Sequence, residues 1–176
     1  MACEPFADFL QRFKQDRQHG ASELARQVLT WLGQSVSETP RWDEPARRVV
    51  LDQISQLCAA RPSMSVVAHL LMRWQKRLDE LADRADAPTE LSAAATQLSA
   101  LSRQAVDGCV NNARPLISSR QTLLTHSCSS TLIRLFSSLA GMDCHIVVCE
   151  SRPLCEGVTV VRQLSDWGIS STLITD

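Results

Sequence analysis

The sequence lacks the features that mark membrane, secreted and nucleic-acid-binding proteins. No apolar run approaches the roughly 20 residues that span a bilayer. The N-terminal Met-Ala-Cys-Glu-Pro-Phe has neither the basic start nor the apolar stretch of a signal peptide. The 176 residues carry a formal net charge of −1, so there is no global attraction to nucleic acid or to an anionic membrane. We therefore expect a cytoplasmic protein without membrane association or direct nucleic-acid binding.

The seven cysteines form no recognisable disulfide or metal pattern. An odd count, wide spacing and the lack of a secretion signal argue against a disulfide framework, and no Cys-x-x-Cys pair occurs. Cys144 and Cys149 are five residues apart, so on an extended strand their side chains point to opposite faces. Buried structural thiols are therefore favoured over a zinc site that would also use Cys155 and His145. We expect no metal and no cofactor.

The hydrophobic pattern changes near residue 115. Before that point, apolar residues recur at helical spacing in five segments separated by residues that break helices. The expected breaks are at Gly20, at Gly33 with the loop 35–40, at Arg61-Pro62-Ser63 and at Ala87-Pro88, and the fifth helix is expected to end near Asn112. No internal repeat or low-complexity tract is visible. The pattern predicts an N-terminal helical domain over residues 1–115.

Beyond residue 115 strand-like and helical segments alternate. Short apolar runs at 121–125, 145–149 and 171–175 predict buried strands, and helical patterns at 129–139 and 157–167 lie between them. Gly168 is expected to cap the second of these helices. Strand, helix, strand, helix, strand predicts right-handed crossovers and a parallel sheet over residues 116–176. The fold class is therefore α/β.

Three strands are few for a parallel sheet, which is normally larger and covered on both faces. A sheet that stops after its third strand, with no helix after it, has an uncovered surface or an unpaired edge. We therefore expect a truncated chain, a split gene product or a fragment that depends on a partner.

A polar cluster follows the first predicted strand, at the edge where open parallel sheets bind ligands. Residues 125–131 read Thr-His-Ser-Cys-Ser-Ser-Thr. Their hydroxyls and the free N–H groups of a helix N-terminus would together favour an anion. Helix capping by a Ser or Thr side chain is the simpler alternative.

Charged residues follow the other two predicted strands. Arg152, after the second strand, either binds a phosphate or carboxylate group or pairs with Glu150 or Glu156. Asp176, after the third strand, suits a ribose hydroxyl or a proton, although the chain terminus beside it weakens that role. Both residues are expected at the same edge of the sheet as the first cluster.

Cys128 is the one candidate nucleophile or base. A thiol at a helix N-terminus is expected to have a depressed pKa and to be reactive, and His126 lies two residues before it. Such a Cys–His pair would serve nucleophilic catalysis. A packed, inert thiol is the favoured interpretation, and the histidines without a partner pattern are interpreted as structural: His19, His69 and His145.

Five short motifs occur in the order in which one known family has them. They are Gly20-Ala21-Ser22-Glu23-Leu24-Ala25, Arg61-Pro62-Ser63, Leu124-Thr125-His126-Ser127-Cys128-Ser129-Ser130, Glu150-Ser151-Arg152-Pro153 with Gly157, and the segment 169–176. Together they resemble the initiation factor 2B superfamily, which comprises regulatory α, β and δ subunits, ribose-1,5-bisphosphate isomerase and methylthioribose-1-phosphate isomerase. The resemblance implies a helical N-terminal domain followed by a Rossmann-like domain, of which residues 116–176 would be the first half.

The resemblance implies a binding site but an incomplete catalytic site. The catalytic cysteine of the isomerases corresponds to Ser127, Cys128 stands where they have Asn, and His19 stands where their first phosphate-binding motif has Arg. Their catalytic aspartate lies in a Gly-Ala-Asp motif beyond the third strand, so proton transfer between C1 and C2 of a sugar phosphate lacks both groups. The implied ligand-contacting residues are Gly20, Ala21, Ser22, Arg61, Ser129, Ser130 and Thr131, to which we add Arg152.

Three hypotheses follow. The leading one is a non-catalytic initiation factor 2B-like protein, linked to translation initiation, that binds a phosphorylated sugar or nucleotide, protein partners or both, as a homo- or hetero-oligomer. The second is an aldose–ketose isomerase acting on ribose-1,5-bisphosphate or methylthioribose-1-phosphate, with Cys128 as a displaced base. The third is an assembly domain whose sheet is completed by a partner chain.

Overall fold

Helices occupy the first part of the chain and a small parallel sheet the last part. The structure, a computed structural model, describes residues 3–17 and 19–176. Two compact units are present, Met1–Arg103 and Gln104–Asp176. This order of elements confirms the α/β fold class. Within the described residues, no helix combines the length and the apolar character needed to cross a membrane.

The helical unit is held together by one apolar core. Its elements are α1 (Phe6–Gln15), α2 (Ala21–Ser37), α3 (Glu44–Ala60), α4 (Ser65–Glu80) and the first part of α5 (Ala87–Ala113). Asp43 caps α3 by accepting a hydrogen bond from the Ala46 amide at 3.1 Å. Packing of α2 on α4, and of α3 on both α1 and α4, buries the largest side chains, among them Trp74, Phe9 and Phe13.

Gly33 lies inside α2, whereas the sequence pattern predicted a break there. A Cβ atom added to Gly33 would lie 2.9 Å from Cβ of Ala95 in α5, so the missing side chain lets the two helices approach closely. Glycine lowers helix propensity by about 1 kcal/mol, but tertiary packing commonly overrides propensity. The prediction of a loop at Gly33 and over 35–37 was therefore wrong, because α2 continues to Ser37.

The sheet unit contains three parallel strands in sequence order. They are β1 (Thr122–Thr125), β2 (His145–Cys149) and β3 (Ser170–Ile174), joined by α6 (Ser130–Ser137) and α7 (Glu156–Asp166). Thr125 pairs with Val148, and Val148 pairs with Leu173, so all three strands end at the same edge. The predicted order of strands and helices is confirmed, with ends shifted by one or two residues.

The two faces of the sheet differ in burial. Ile146 and Val148 are buried together with Phe136 of α6 and Leu164 of α7. The opposite face includes Leu124, which is 70% exposed, and Ile174, which is 39% exposed. In the described residues this sheet therefore has one packed face and one open face, as expected for so few strands.

Candidate functional site

The loops at the carboxyl ends of the three strands meet in one polar cluster. The amide of Ser127, after β1, donates a hydrogen bond to Oγ of Ser151, after β2, at 2.8 Å. The amides of Ser151 and Arg152 donate to the two carboxylate oxygens of Asp176, after β3, at 2.9 and 2.6 Å. The three polar segments that the sequence placed at this edge are thus connected by hydrogen bonds.

Several residues of this cluster have a left-handed backbone. Ser127 has φ 60°, Ser151 has φ 63° and Cys155 has φ 52°. None of these residues is glycine, so each conformation costs roughly 1–3 kcal/mol and must be held by its surroundings. The hydrogen bond from the Ser127 amide to Ser151 Oγ holds Ser127, and the hydrogen bond from the Ser151 amide to Asp176 holds Ser151. Strain of this kind is concentrated at ligand-binding sites.

Helix α6 begins at this cluster without a side-chain cap. Ser129 is the N-cap residue, with φ −102° and ψ 123°, and its side chain makes no capping hydrogen bond. The capping alternative is therefore wrong for Ser129. The N–H groups of the first helical turn have no partner within a helix, and together with the helix dipole they favour an anion. Ser129, Ser130 and Thr131 are half-buried around these N–H groups.

Thr125 carries an unsatisfied polar atom at the end of β1. Its side chain is 5% exposed, and Oγ1 has no hydrogen-bond partner among the described residues. Buried hydroxyls normally have a partner, which is a protein group, a water molecule or a ligand. Thr125 is the last residue of the strand that leads into the 126–131 loop, so this hydroxyl lies at the same edge of the sheet as the cluster.

Glu156, the first residue of α7, contacts the loop that leads into α6. Its Oε2 accepts a hydrogen bond from the Cys128 amide at 3.2 Å. From the sequence, Glu156 was expected only as a partner of Arg152. No local spacing pattern indicates its contact with Cys128, which lies 28 residues away. The nearest signal is the acidic residue in the first turn of a helix, which is common because it complements the helix dipole.

The thiol of Cys128 is less acidic than the sequence suggested. Burial raises its pKa, and the negative charge of Glu156 raises the pKa further. The expectation of a depressed pKa from the helix N-terminus is therefore wrong, because desolvation and the neighbouring carboxylate both disfavour the thiolate. Cys128 is thus a poor base or nucleophile at neutral pH.

We expect Cys128 of the folded chain to react with iodoacetamide only above the pH at which it reacts in the unfolded chain. The thiolate is the reacting form, and the folded state holds the proton more tightly. The rate is measured against pH by mass spectrometry of the peptide that contains Cys128, in buffer and in urea. Stability contributed by this thiol is lost as pH rises past the pKa of the unfolded thiol. A midpoint lower in the folded chain would contradict the expectation.

Arg152 is exposed and paired within its own loop. Its Nε donates to Oε2 of Glu150 at 2.7 Å, and this hydrogen bond raises the pKa of Arg152. Of the alternatives that the sequence left open, pairing with Glu150 is present. The amides of Arg152 and Ser151 lower the pKa of Asp176, which therefore stays ionised.

The remaining predicted ligand residues lie in the helical unit. Gly20 is the N-cap of α2 and makes no side-chain cap, so Gly20, Ala21 and Ser22 form a second helix N-terminus. His19 beside them is bound to Asp16, with 2.7 Å between His19 Nδ1 and Asp16 Oδ2. The ligand contacts assigned to Gly20, Ala21 and Ser22 stay predictions.

Arg61 binds the C-terminal end of α1. Its Nε donates a hydrogen bond to the carbonyl oxygen of Phe13 at 3.0 Å. Its Nη2 donates to the carbonyl oxygen of Lys14 at 3.1 Å and also to that of Asp16. A cation there complements the carbonyl end of the helix dipole. Burial is the main reason that the pKa of Arg61 is lowered. These contacts give Arg61 a structural role, and its assignment to a ligand stays a prediction.

No metal centre is visible in the part of the chain that the structure describes. Among residues 3–17 and 19–176, no three His, Cys, Asp or Glu side chains are grouped so that they could hold a metal ion.

The chain matches a family of initiation factor subunits. The sequence model of the initiation factor 2 subunit family matches residues 14–176, whereas no curated protein sequence matches. The structure of translation initiation factor eIF-2B from Pyrococcus horikoshii OT3 has a TM-score of 0.79 and 22% identity, covering 97% of this chain and 59% of that one. The structure of the tetrameric eIF2B-beta2-delta2 complex from C. thermophilum has a TM-score of 0.66 and 18% identity, covering 96% of this chain and 59% of that one.

An isomerase has the same fold. The structure of 5-methylthioribose 1-phosphate isomerase from P. horikoshii OT3 has a TM-score of 0.66 and 14% identity, covering 97% of this chain and 51% of that one. The chain therefore spans between 51% and 59% of these three solved chains. At such identities the structures establish the fold alone, and the family comes from the sequence match. The chain belongs to the initiation factor 2 subunit family.

Proposed function

We propose that this chain is a non-catalytic member of its family that binds a phosphorylated sugar or nucleotide. The observation that carries the proposal is the start of α6, where Ser129 leaves the first helical turn without a side-chain cap. Half-buried hydroxyls of Ser130 and Thr131 flank these N–H groups, and Thr125 adds an unsatisfied Oγ1. Amide and hydroxyl donors at a helix N-terminus suit a phosphate group.

The chemistry of Cys128 supports binding rather than turnover. An isomerase that uses this thiol as its base needs a thiolate, and both burial and Glu156 raise the pKa of Cys128. Ser127, which corresponds to the family's catalytic cysteine, is a much weaker acid than a thiol and donates its amide to Ser151. These features favour a chain that binds the ligand and does not convert it to a product.

The open face of the sheet supports assembly with other chains in the cytoplasm. Leu124 and Ile174 are large apolar side chains that are exposed on this face, at or next to the last strand positions. Exposed apolar patches of this kind commonly mark protein interfaces. A similar structure is a tetrameric eIF2B complex. We propose that this chain also forms a homo- or hetero-oligomer, with a role linked to translation initiation.

We expect the chain to bind ribose 5-phosphate and the variant Thr131→Asp to lose at least about tenfold in affinity. A carboxylate in the first turn of α6 repels the phosphate, yet it stabilises the helix by about 0.3–1 kcal/mol, so unfolding does not explain the loss. Isothermal titration calorimetry gives the affinity and thermal unfolding gives the stability. Thr89→Asp, exposed in the first turn of α5, makes the same substitution at the same end of another helix and should bind like wild type.

Two outcomes would contradict the proposal. Equal affinity of wild type and Thr131→Asp for ribose 5-phosphate would show that the phosphate does not bind at the start of α6. Conversion of ribose-1,5-bisphosphate to a ribulose product, abolished by Cys128→Ala, would make the chain an isomerase. We expect no ribulose product from the wild-type chain.

A further inference from the structure

We infer that Glu156 is a specificity-determining residue, which restricts the proposed ligand site to compounds with a single phosphate group. The inference rests on the proposed function, because it concerns the choice of ligand at the start of α6. Glu156 Oε2 accepts the hydrogen bond of the Cys128 amide at 3.2 Å, one residue before the N-cap Ser129. A carboxylate of the protein thus already binds next to the N–H groups proposed for phosphate.

A second carboxylate fills the other amide donors of the cluster. Asp176 accepts hydrogen bonds from the amides of Ser151 and Arg152 at 2.9 and 2.6 Å. Those bonds lower the pKa of Asp176, so the group is charged at neutral pH. Carboxylates of the chain thus bind the amides of Cys128, Ser151 and Arg152, and no described carboxylate binds an amide of the first turn of α6.

Positive charge at the cluster is too limited to hold a second phosphate. Arg152 is the guanidinium of the loop after β2, and its Nε is already bound to Glu150 at 2.7 Å. His126 is exposed and lies 4.0 Å from Asp176, measured from Nε2 to Oδ1. Each phosphate monoester carries about −1.5 to −2 charges at pH 7, so a second group would face Glu156 and Asp176 without a free cation of similar size.

The position of Glu156 has an alternative explanation, namely stabilisation of α7. Measurements of ligand binding can distinguish it from a role in ligand choice. An acidic residue in the first turn of α7 stabilises the helix whether or not a ligand binds. Glutamine keeps an oxygen that accepts the Cys128 hydrogen bond but removes the charge. Glu156→Gln therefore tests the charge, while the loop geometry is retained.

The experiment compares ribose 5-phosphate with ribose-1,5-bisphosphate on three proteins by isothermal titration calorimetry. They are the wild-type chain, Glu156→Gln and the control Asp166→Asn, which removes a carboxylate from the exposed end of the same helix. We expect wild type to bind the bisphosphate no more tightly than the monophosphate. Glu156→Gln should gain about tenfold for the bisphosphate and less for the monophosphate, and Asp166→Asn should match wild type.

The outcomes distinguish this inference from the proposed function. Tighter binding of the bisphosphate by wild type, or an affinity unchanged in Glu156→Gln, would overturn the role of Glu156 while the phosphate site stands. An equal gain in affinity for the bisphosphate in Asp166→Asn would show that the effect comes from net charge alone, and would also overturn the role of Glu156. If none of the three proteins binds either sugar phosphate, the proposed function itself fails, and the inference fails with it.

Discussion

Replacement of Gly157 by alanine is expected to destabilise the sheet unit by about 3 kcal/mol or more. A Cβ atom at this position would lie 2.1 Å from the carbonyl oxygen of Cys149 and 3.1 Å from Cα of Glu150. Both neighbours are backbone atoms, so no side chain can rotate away. The Gly157 amide also donates to the Glu150 carbonyl oxygen at 3.1 Å, and the added methyl group would break this contact.

The size of the effect can be measured by urea unfolding with a matched glycine as control. Gly108 lies inside α5, and a Cβ atom there would meet no atom within 4 Å. Gly108→Ala should therefore leave stability unchanged or raise it by up to about 1 kcal/mol, because alanine favours the helix. Equal destabilisation by the two substitutions would show that close packing at Gly157 is not the cause.

The same substitution should also disturb the candidate ligand site. Gly157 follows Glu156, and displacement of the start of α7 would move the Glu156 carboxylate away from the Cys128 amide. Amide hydrogen exchange of the 126–131 loop should increase in Gly157→Ala, while helices α1–α4 keep their protection because they belong to the other unit.

The regular elements could be predicted from local pattern alone. Strand β2 contains the apolar run Ile146–Cys149, which is typical of a strand in a parallel sheet, and it was predicted with its observed bounds, His145–Cys149. Gly168 was predicted as a helix cap, and it follows α7 with φ 68°. Both signals depend only on neighbours in the sequence.

The contacts that decide the site depend on residues far apart in the sequence. Gly33 resembles a break until Ala95 is known to lie against it. Cys128 resembles a reactive thiol until Glu156 is placed at its amide. The carbonyl groups that Arg61 binds at the end of α1 lie 47 and 48 residues away in the sequence, so no local pattern could indicate these contacts. Charge and burial at a residue are set by tertiary neighbours, which a single sequence does not reveal.

Replacement of Trp74 by alanine is expected to destabilise the helical unit by about 3–5 kcal/mol. The indole of Trp74 is fully buried between α4 and the helices that pack on it, and its Nε1 donates to the Leu91 carbonyl oxygen at 2.9 Å. Alanine would leave a cavity of most of an indole ring, and the surrounding helices relax into such cavities only in part. Part of this loss comes from the hydrogen bond that joins α4 to α5.

Met72 provides the matched control for Trp74, since it lies on the same helix but is 67% exposed. Met72→Ala should change stability by less than about 0.5 kcal/mol, because it removes no buried contact. Because α2 packs on α4, Trp74→Ala should also raise the hydrogen exchange of α2, whose first turn carries Ala21 and Ser22. The indole would then hold in place the helix whose N-terminus is the second predicted ligand contact. Urea unfolding that is the same for Trp74→Ala and Met72→Ala would show that the core of this unit does not depend on the indole.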